Sequence, residues 1–176
     1  EYVGIDLINS DYIVSHNEIG LVDVAPPPGI GGECYGLYIH QSEGNHVPIV
    51  TKNLIQYNRQ GLYIGCDSQP VVYANKIRNN TNAGVIADNP TKALDLCVMF
   101  LVNGEEKFRG NDITDNDDYA VFNRNVNAPI YIAHNYLNTL KPETTGANRI
   151  SSGVEYEYYD MDGKKHTLAP GSQWEE

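Results

Sequence analysis

Five asparagines, each followed two positions later by a branched aliphatic residue, recur along this chain: Asn17-Glu-Ile19, Asn53-Leu-Ile55, Asn75-Lys-Ile77, Asn111-Asp-Ile113 and Asn135-Tyr-Leu137. The intervals between them are 36, 22, 36 and 24 residues. A period in the low twenties, lengthened twice, is the mark of a fold that stacks one short unit on the next. In such a fold each unit touches only its neighbours, and chemistry falls on an outer face shared by consecutive units.

The context around each Asn recurs as well. Pro48-Ile-Val50 leads to Asn53-Leu-Ile55, Asn58 and Gly61-Leu-Tyr-Ile64; Pro70-Val-Val72 leads to Asn75-Lys-Ile77, Asn80 and Ala83-Gly-Val-Ile86. Lys107-Phe108 leads to Asn111-Asp-Ile113, Asn116 and Tyr119-Ala-Val-Phe122, and Pro129-Ile-Tyr-Ile132 leads to Asn135. Each unit reads as short alternating runs of roughly 3 to 5 residues broken by Asn, Gly and Asp. The longest stretch with helical periodicity, Thr91 to Val102, is too short to compete with that pattern. Strands that turn polar corners and return in register stack about 4.8 Å apart. Ile and Val then point inward, and a one-residue slip would turn them out. The Asn side chains are expected at the bends, stacked on one another and tolerating left-handed backbone.

The units at 53–64 and 75–86, and a looser one at 111–122, resemble the right-handed parallel β-helix, or pectate-lyase-like, superfamily. The resemblance covers roughly residues 1 to 140. It implies an all-β fold: a right-handed parallel β-helix of about five turns with two insertions. Fold does not carry function here, because the superfamily holds lyases, hydrolases, epimerases, phage tailspikes and inert stalks. The Asn-rich units, acidic balance and Tyr-rich tail look most like extracellular surface proteins, the archaeal disaggregatase-related proteins among them.

The insertions are placed at 21–35, with Pro26-Pro-Pro28 and Gly29-Ile-Gly-Gly32, and at 90–105, which is far more apolar. The second is expected as a short helix or strand along the outside of the stack, or as one wall of a groove. Residues 141–176 are expected as a linker and cap: Val154 to Tyr159 alternates, Asp162-Gly163 is a hairpin turn, and Lys165 to Leu168 returns. No comparable cap is visible near Glu1, so the first unit is expected to meet the rest of a larger β-helix or another subunit.

A chain of 176 residues with a net charge of −11 and no cluster of basic residues offers nothing to phosphates, which argues against a nucleic-acid partner. No run approaches the roughly 18 apolar residues of a membrane span. Three cysteines, Cys34, Cys66 and Cys97, are too few for a disulfide framework and are not spaced as zinc ligands. They read as small buried hydrophobes or as one bridge between units.

Aligning the units on Ile39, Ile64, Ile86 and Phe122 gathers polar residues at the corner that follows. His40, Glu43, Asp67 and Asp88 are the candidate catalytic residues; Arg124, His46, Tyr38 and Tyr63 are the candidate substrate-binding residues. Carboxylates one or two units apart would be about 5 or 10 Å apart, separations that bracket those used in glycoside hydrolysis. Tyr35, Tyr38, Tyr57, Tyr63 and Tyr73 could offer rings to the apolar faces of sugars. The alternative is a polar corner that simply faces water. No metal site is assigned; Ca2+ is the one cofactor that Asp112, Asp115, Asn116, Asp117 and Asp118 could hold, though without the spacing of a calcium loop. These features point to an extracellular or cell-surface module that hydrolyses, cleaves or binds a polysaccharide. The alternative is a non-catalytic stalk, adhesin or filament subunit.

Overall fold

A computed structural model describes residues 2–20, 34–41, 45–65, 68–88, 93–124, 128–137, 149–152, 154–155, 157–159 and 164–167. Among them there is no helix, and most strands pair in parallel. A first pass of the chain makes β1 (Tyr2–Ile8), β2 (Ile13–Ser15) and β3 (Glu18–Ile19), and a second makes β4 (Cys34–His40), β5 (Ile49–Thr51) and β6 (Leu54–Gln56). A third makes β7 (Gln60–Gly65), β8 (Val71–Tyr73) and β9 (Lys76–Arg78). Then come β10 (Ala83–Ala87), β11 (Leu94–Asp95), β12 (Val98–Val102), β13 (Glu105–Arg109) and β14 (Asp112–Thr114). The last are β15 (Tyr119–Asn123), β16 (Ile130–Tyr131), β17 (Arg149–Ile150), β18 (Val154–Glu155), β19 (Glu157–Tyr159) and β20 (Lys165–Thr167).

The parallel sheets run β1-β4-β7-β10-β15-β17, β2-β5-β8, β3-β6-β9-β14 and β11-β16-β18. The first three passes return to the same three sheets; later passes stay with the six-stranded sheet, while β11, β16 and β18 form a sheet of their own. Inside lies one apolar cluster in which like stacks on like: Val14, Val50 and Val72 in one column, Ile19, Ile55, Ile77 and Ile113 in another. Parallel pairing continues past residue 140, where β17 joins β15 and β18 joins β16. Beyond it β19 and β20 pair antiparallel, as the C-terminal alternation predicts. Of the two insertions, residues 21–33 lie outside the described ones, and Cys34 and Tyr35 already belong to β4.

The five asparagines form a continuous ladder. Each of the first four donates twice, through its backbone N–H and its Nδ2, to the Oδ1 of the next: Asn17 to Asn53, Asn53 to Asn75, Asn75 to Asn111 and Asn111 to Asn135, at 2.7 to 3.1 Å. The second Nδ2 hydrogen reaches main-chain carbonyls such as Val14, Val50 and Val72. A second ladder runs from Asn58 to Asn80 to Asn116 in the same way. Buried amides are thus saturated, which removes the penalty of burying them.

The left-handed backbone expected at the Asn falls instead on the residue before it. His16, Lys52, Ala74 and His134 precede rungs of the first ladder, and Tyr57, Asn79 and Asp115 precede rungs of the second; all seven have φ between 54° and 62°. One left-handed residue swings the chain through the corner and aims the next amide along the stack.

The apolar second insertion is a hairpin, not a helix. β11 joins the stack, and β12 and β13 pair antiparallel around Asn103-Gly104, with φ of 53° and 82°. Two consecutive left-handed residues are what a two-residue hairpin turn requires, and Asn-Gly supplies them. The hairpin runs to Arg109, past the expected boundary at 105. Arg109 lies 5.6 Å over the Phe100 ring, and Phe108 stacks on His134 at 4.1 Å. Cys34 and Cys97 are free thiols; Cys66 lies outside the described residues.

Candidate functional site

The outer face of the six-stranded sheet collects most of the candidate side chains. Pairing sets Tyr38 level with Tyr63, Tyr63 with Ile86 and Ile86 with Phe122. These residues point away from the core and, with Tyr35, Val3, Ala83 and Tyr119, make a second apolar cluster. One position on, Ile39 is level with Ile64, Ala87 and Asn123, all inside.

This corrects the sequence alignment by one residue from the fourth pass onward. Ile86 and Phe122 are apolar but outward, while Ala87 and Asn123 take the inward position. The outer face is itself apolar, so alternation of hydrophobicity could not choose between the two registers. The shift has a consequence for the site. Asp88 donates its N–H to Ile64 O and Arg124 its N–H to Ala87 O, which continues the ladder by one step. His40, Gly65, Asp88 and Arg124 therefore form one column on successive strands, with His40 and Asp88 about 9.6 Å apart at two strand spacings.

Two polar groups sit on this column. Tyr63 Oη donates to Asp88 Oδ2, and Arg124 Nη1 donates to the same carboxylate oxygen at 3.2 Å and to Tyr63 Oη at 3.1 Å. Burial, and next the Asp88 acceptor, push the Tyr63 hydroxyl well above the usual tyrosine value, while Arg124 opposes the shift. The phenol therefore stays a donor, and Asp88 is a carboxylate held by two donors on one oxygen. At the other end His40 Nε2 lies 3.2 Å from Asp6 Oδ1.

Aromatic rings connect the two groups. The His40 ring stacks on Tyr38 at 4.5 Å, and Tyr38 meets Tyr63 edge-on at 4.9 Å. Both tyrosines lean over Gly65, where an added Cβ would stand 3.2 Å from the Tyr63 ring and 3.5 Å from the Tyr38 ring. A bare strand at Gly65 is what lets the rings lie down between His40 and Asp88. The resulting line of contact runs Asp6, His40, Tyr38, Tyr63, Asp88, Arg124.

His46 belongs to the adjoining corner. Its Nδ1 lies 2.9 Å from Asp11 Oδ2, and the Val47 N–H donates to Asp11 Oδ1 at 2.7 Å. These two bonds, His46 first, hold the Asp11 carboxyl below the usual aspartate value. Gln41 Nε2 donates to the His46 carbonyl and so ties this corner to the end of β4.

Asp67 and Glu43 lie outside the described residues. Tyr35 and Tyr63 are buried, and Tyr38, Tyr57 and Tyr73 half-buried. In the acidic stretch Asn116 is a buried ladder rung, its Oδ1 taken by Asn80 and its Nδ2 by Ile77 O and Thr114 O. Among the described residues no group of three or more His, Cys, Asp or Glu is arranged to hold a metal ion, and no helix is long and apolar enough to cross a membrane. Sequence reasoning passed over Asp6 and Asp11, the partners of the two histidines. Aligning Ile5-Asp-Leu7 with Leu37-Tyr-Ile39 would have placed Asp6 outward on the same face.

Comparison with known proteins finds no matching family model, no matching curated relative and no matching solved structure.

Proposed function

We propose that this protein is a carbohydrate-active module of the right-handed parallel β-helix type, acting outside the cell or at its surface. It holds a polysaccharide along the outer face of the six-stranded sheet. The observation that carries this reading is the half-buried Tyr38–His40 stack, bordered by Asp6 on one side and by the Asp88–Arg124 pair on the other. An aromatic surface accepts the apolar face of a sugar ring, and charged groups along its rim take the hydroxyls.

Binding is the arm this geometry favours over hydrolysis. Asp88 Oδ2 is already engaged by Tyr63 Oη and Arg124 Nη1, which leaves that oxygen less free to take a proton from water or to attack a sugar. Hydrolysis would fall to His40 with Asp67 or Glu43. In a chain of net charge −11, Arg124 is the cation that would admit an acidic glycan to this face.

The test is gel retardation of the protein by a panel of acidic and neutral surface polysaccharides, with a parallel assay for new reducing ends or unsaturated uronates. Retardation by an acidic member, weakened by Tyr38→Ala and by Arg124→Ala, is the expected result. No retardation and no product from any member would remove the carbohydrate reading. Filaments under the same conditions would favour the second reading, a structural stalk or filament subunit, which the two Asn ladders and the exposed first pass support.

A further inference from the structure

Each rung of the first Asn ladder points one way: its Oδ1 accepts from the Asn of the preceding pass. Asn53, Asn75, Asn111 and Asn135 have this acceptor filled twice over and are at most 3% exposed. Asn17 donates to Asn53, but its own Oδ1 receives no hydrogen bond from any described residue, and the side chain is exposed. The far end of the ladder is closed. Asn135 N–H turns back to Ile132 O at 3.2 Å, and its Nδ2 is spent on Ile132 O and Ala133 O.

The neighbours of Asn17 show the same asymmetry. Ile13 is 64% exposed, whereas Ile49 and Val71, level with it on the next two passes, are half-buried. Ile8 and Tyr12 are also exposed, and β1, β2 and β3 are end strands of their three sheets. Open strand edges with apolar side chains alongside are templates for strand addition.

We propose that this end of the stack is a docking surface for one more parallel β pass carrying an Asn at the rung position. That pass would add strands to β1, β2 and β3, donate its Asn N–H and Nδ2 to Asn17 Oδ1, and cover Ile8, Tyr12 and Ile13. Four turn-to-turn contacts of this kind already exist within the chain, so the chemistry is that of an interface the molecule builds repeatedly. A second copy fits less well. Stacked head to tail it would offer Asn135, whose donors are engaged; related by a two-fold axis it would set acceptor against acceptor and strands antiparallel.

The chain itself supplies a probe. Ala83 is level with Gln60, Gln60 with Tyr35 and Tyr35 with Val3, so a copy of residues 60–82 fused directly ahead of Val3 keeps register. The expected result is amide exchange in β1, β2 and β3 slowed at least about tenfold, with a higher Tm. The same fusion with the copied Asn75 and Asn80 changed to Ala should give neither. Equal effects from both fusions, or none from either, would overturn the proposal. If the fusions do not fold, a synthetic 60–82 peptide added to the intact protein decides the question: shifted Asn17 side-chain amide signals support docking, and unchanged signals oppose it. A dimer of the unfused protein in sedimentation, dispersed by Ile13→Glu, would give the surface to a second copy and overturn the assignment.

Discussion

Asn53 gives both its main-chain N–H and its Nδ2 to one oxygen, Oδ1 of Asn75, each at 3.0 Å. A single buried amide thereby fixes the spacing, the register and the polarity of two successive passes. Apolar columns alone would not do this, since burial opposes a one-residue slip but says little about a slip by two, which keeps the same face inward. The ladder therefore supplies specificity, while the Ile and Val columns supply most of the burial energy.

Asn75→Ala should be severe. It leaves two donors of Asn53 without Asn75 Oδ1 and removes Nδ2, one of the two donors to Asn111; the main-chain N–H remains. At about 1–3 kcal/mol for each buried group left unsatisfied, the loss should reach roughly 3–5 kcal/mol. Asn17→Ala, at the exposed end with a rung on one side only, should cost about 1 kcal/mol. Denaturant titration of both variants measures the difference, and equal costs would mean the ladder does not hold the stack.

The column Gly36, Gly61 and Gly84 faces the second ladder. A Cβ at Gly61 would stand 2.6 Å from Gly84 O and 2.8 Å from Asn80 Nδ2, both in the tightly stacked interior. Gly61→Ala should therefore cost about 1–3 kcal/mol or more by overpacking. Ala120 lies against Gly84 in the same column, on the pass after Asn116, and already carries a Cβ there. Ala120→Gly should cost only about 1 kcal/mol, chiefly through backbone entropy. Thermal melts of the pair would decide; a harmless Gly61→Ala would contradict the close approach.

Lys52 is exposed and sits at φ 55°, where it turns the chain into Asn53. An L residue in that region costs about 1–2 kcal/mol, and glycine adopts it freely. Lys52→Gly loses no buried packing, so after the larger unfolded-state entropy of glycine it should gain about 0.5–1 kcal/mol. A denaturation midpoint lower than that of the parent would show that the corner depends on the lysine side chain.

The repeat was legible because the ladder needs Asn: each rung uses a carbonyl that accepts two hydrogen bonds and an NH2 that donates two, an amide pair that Ser and Thr lack and that Gln carries one methylene farther out. The corners were less so: their left-handed residues are His16, Lys52, Ala74, Tyr57, Asn79, Asp115 and His134, which share no chemistry. A corner set by the next residue's hydrogen bonds accepts almost any side chain. Asn103-Gly104 marks the β12–β13 turn, but the apolar run before it left helix and strand both open. At the candidate site the residue types were readable and the register was not, because Ile86 and Phe122 are as apolar as any core residue. Only pairing distinguishes Ile86 outside from Ala87 inside.

The Tyr63–Asp88–Arg124 contact predicts a specific alkaline behaviour. Burial and the Asp88 carboxylate raise the Tyr63 hydroxyl, so the folded protein favours the neutral phenol more than the unfolded chain does. A raised folded value contributes stability that is fully present below the unfolded value of about 10 and lost as the pH rises beyond it. Stability measured against pH should then fall more steeply above about pH 10 in the parent than in Tyr63→Phe, which has no phenol to ionise. Arg124→Ala removes the one neighbour that eases ionisation, so ultraviolet titration should show Tyr63 ionising later still in that variant. Parallel stability curves for the parent and Tyr63→Phe would mean that the phenol is not held by Asp88 in solution, and the outer-face site would lose its central contact.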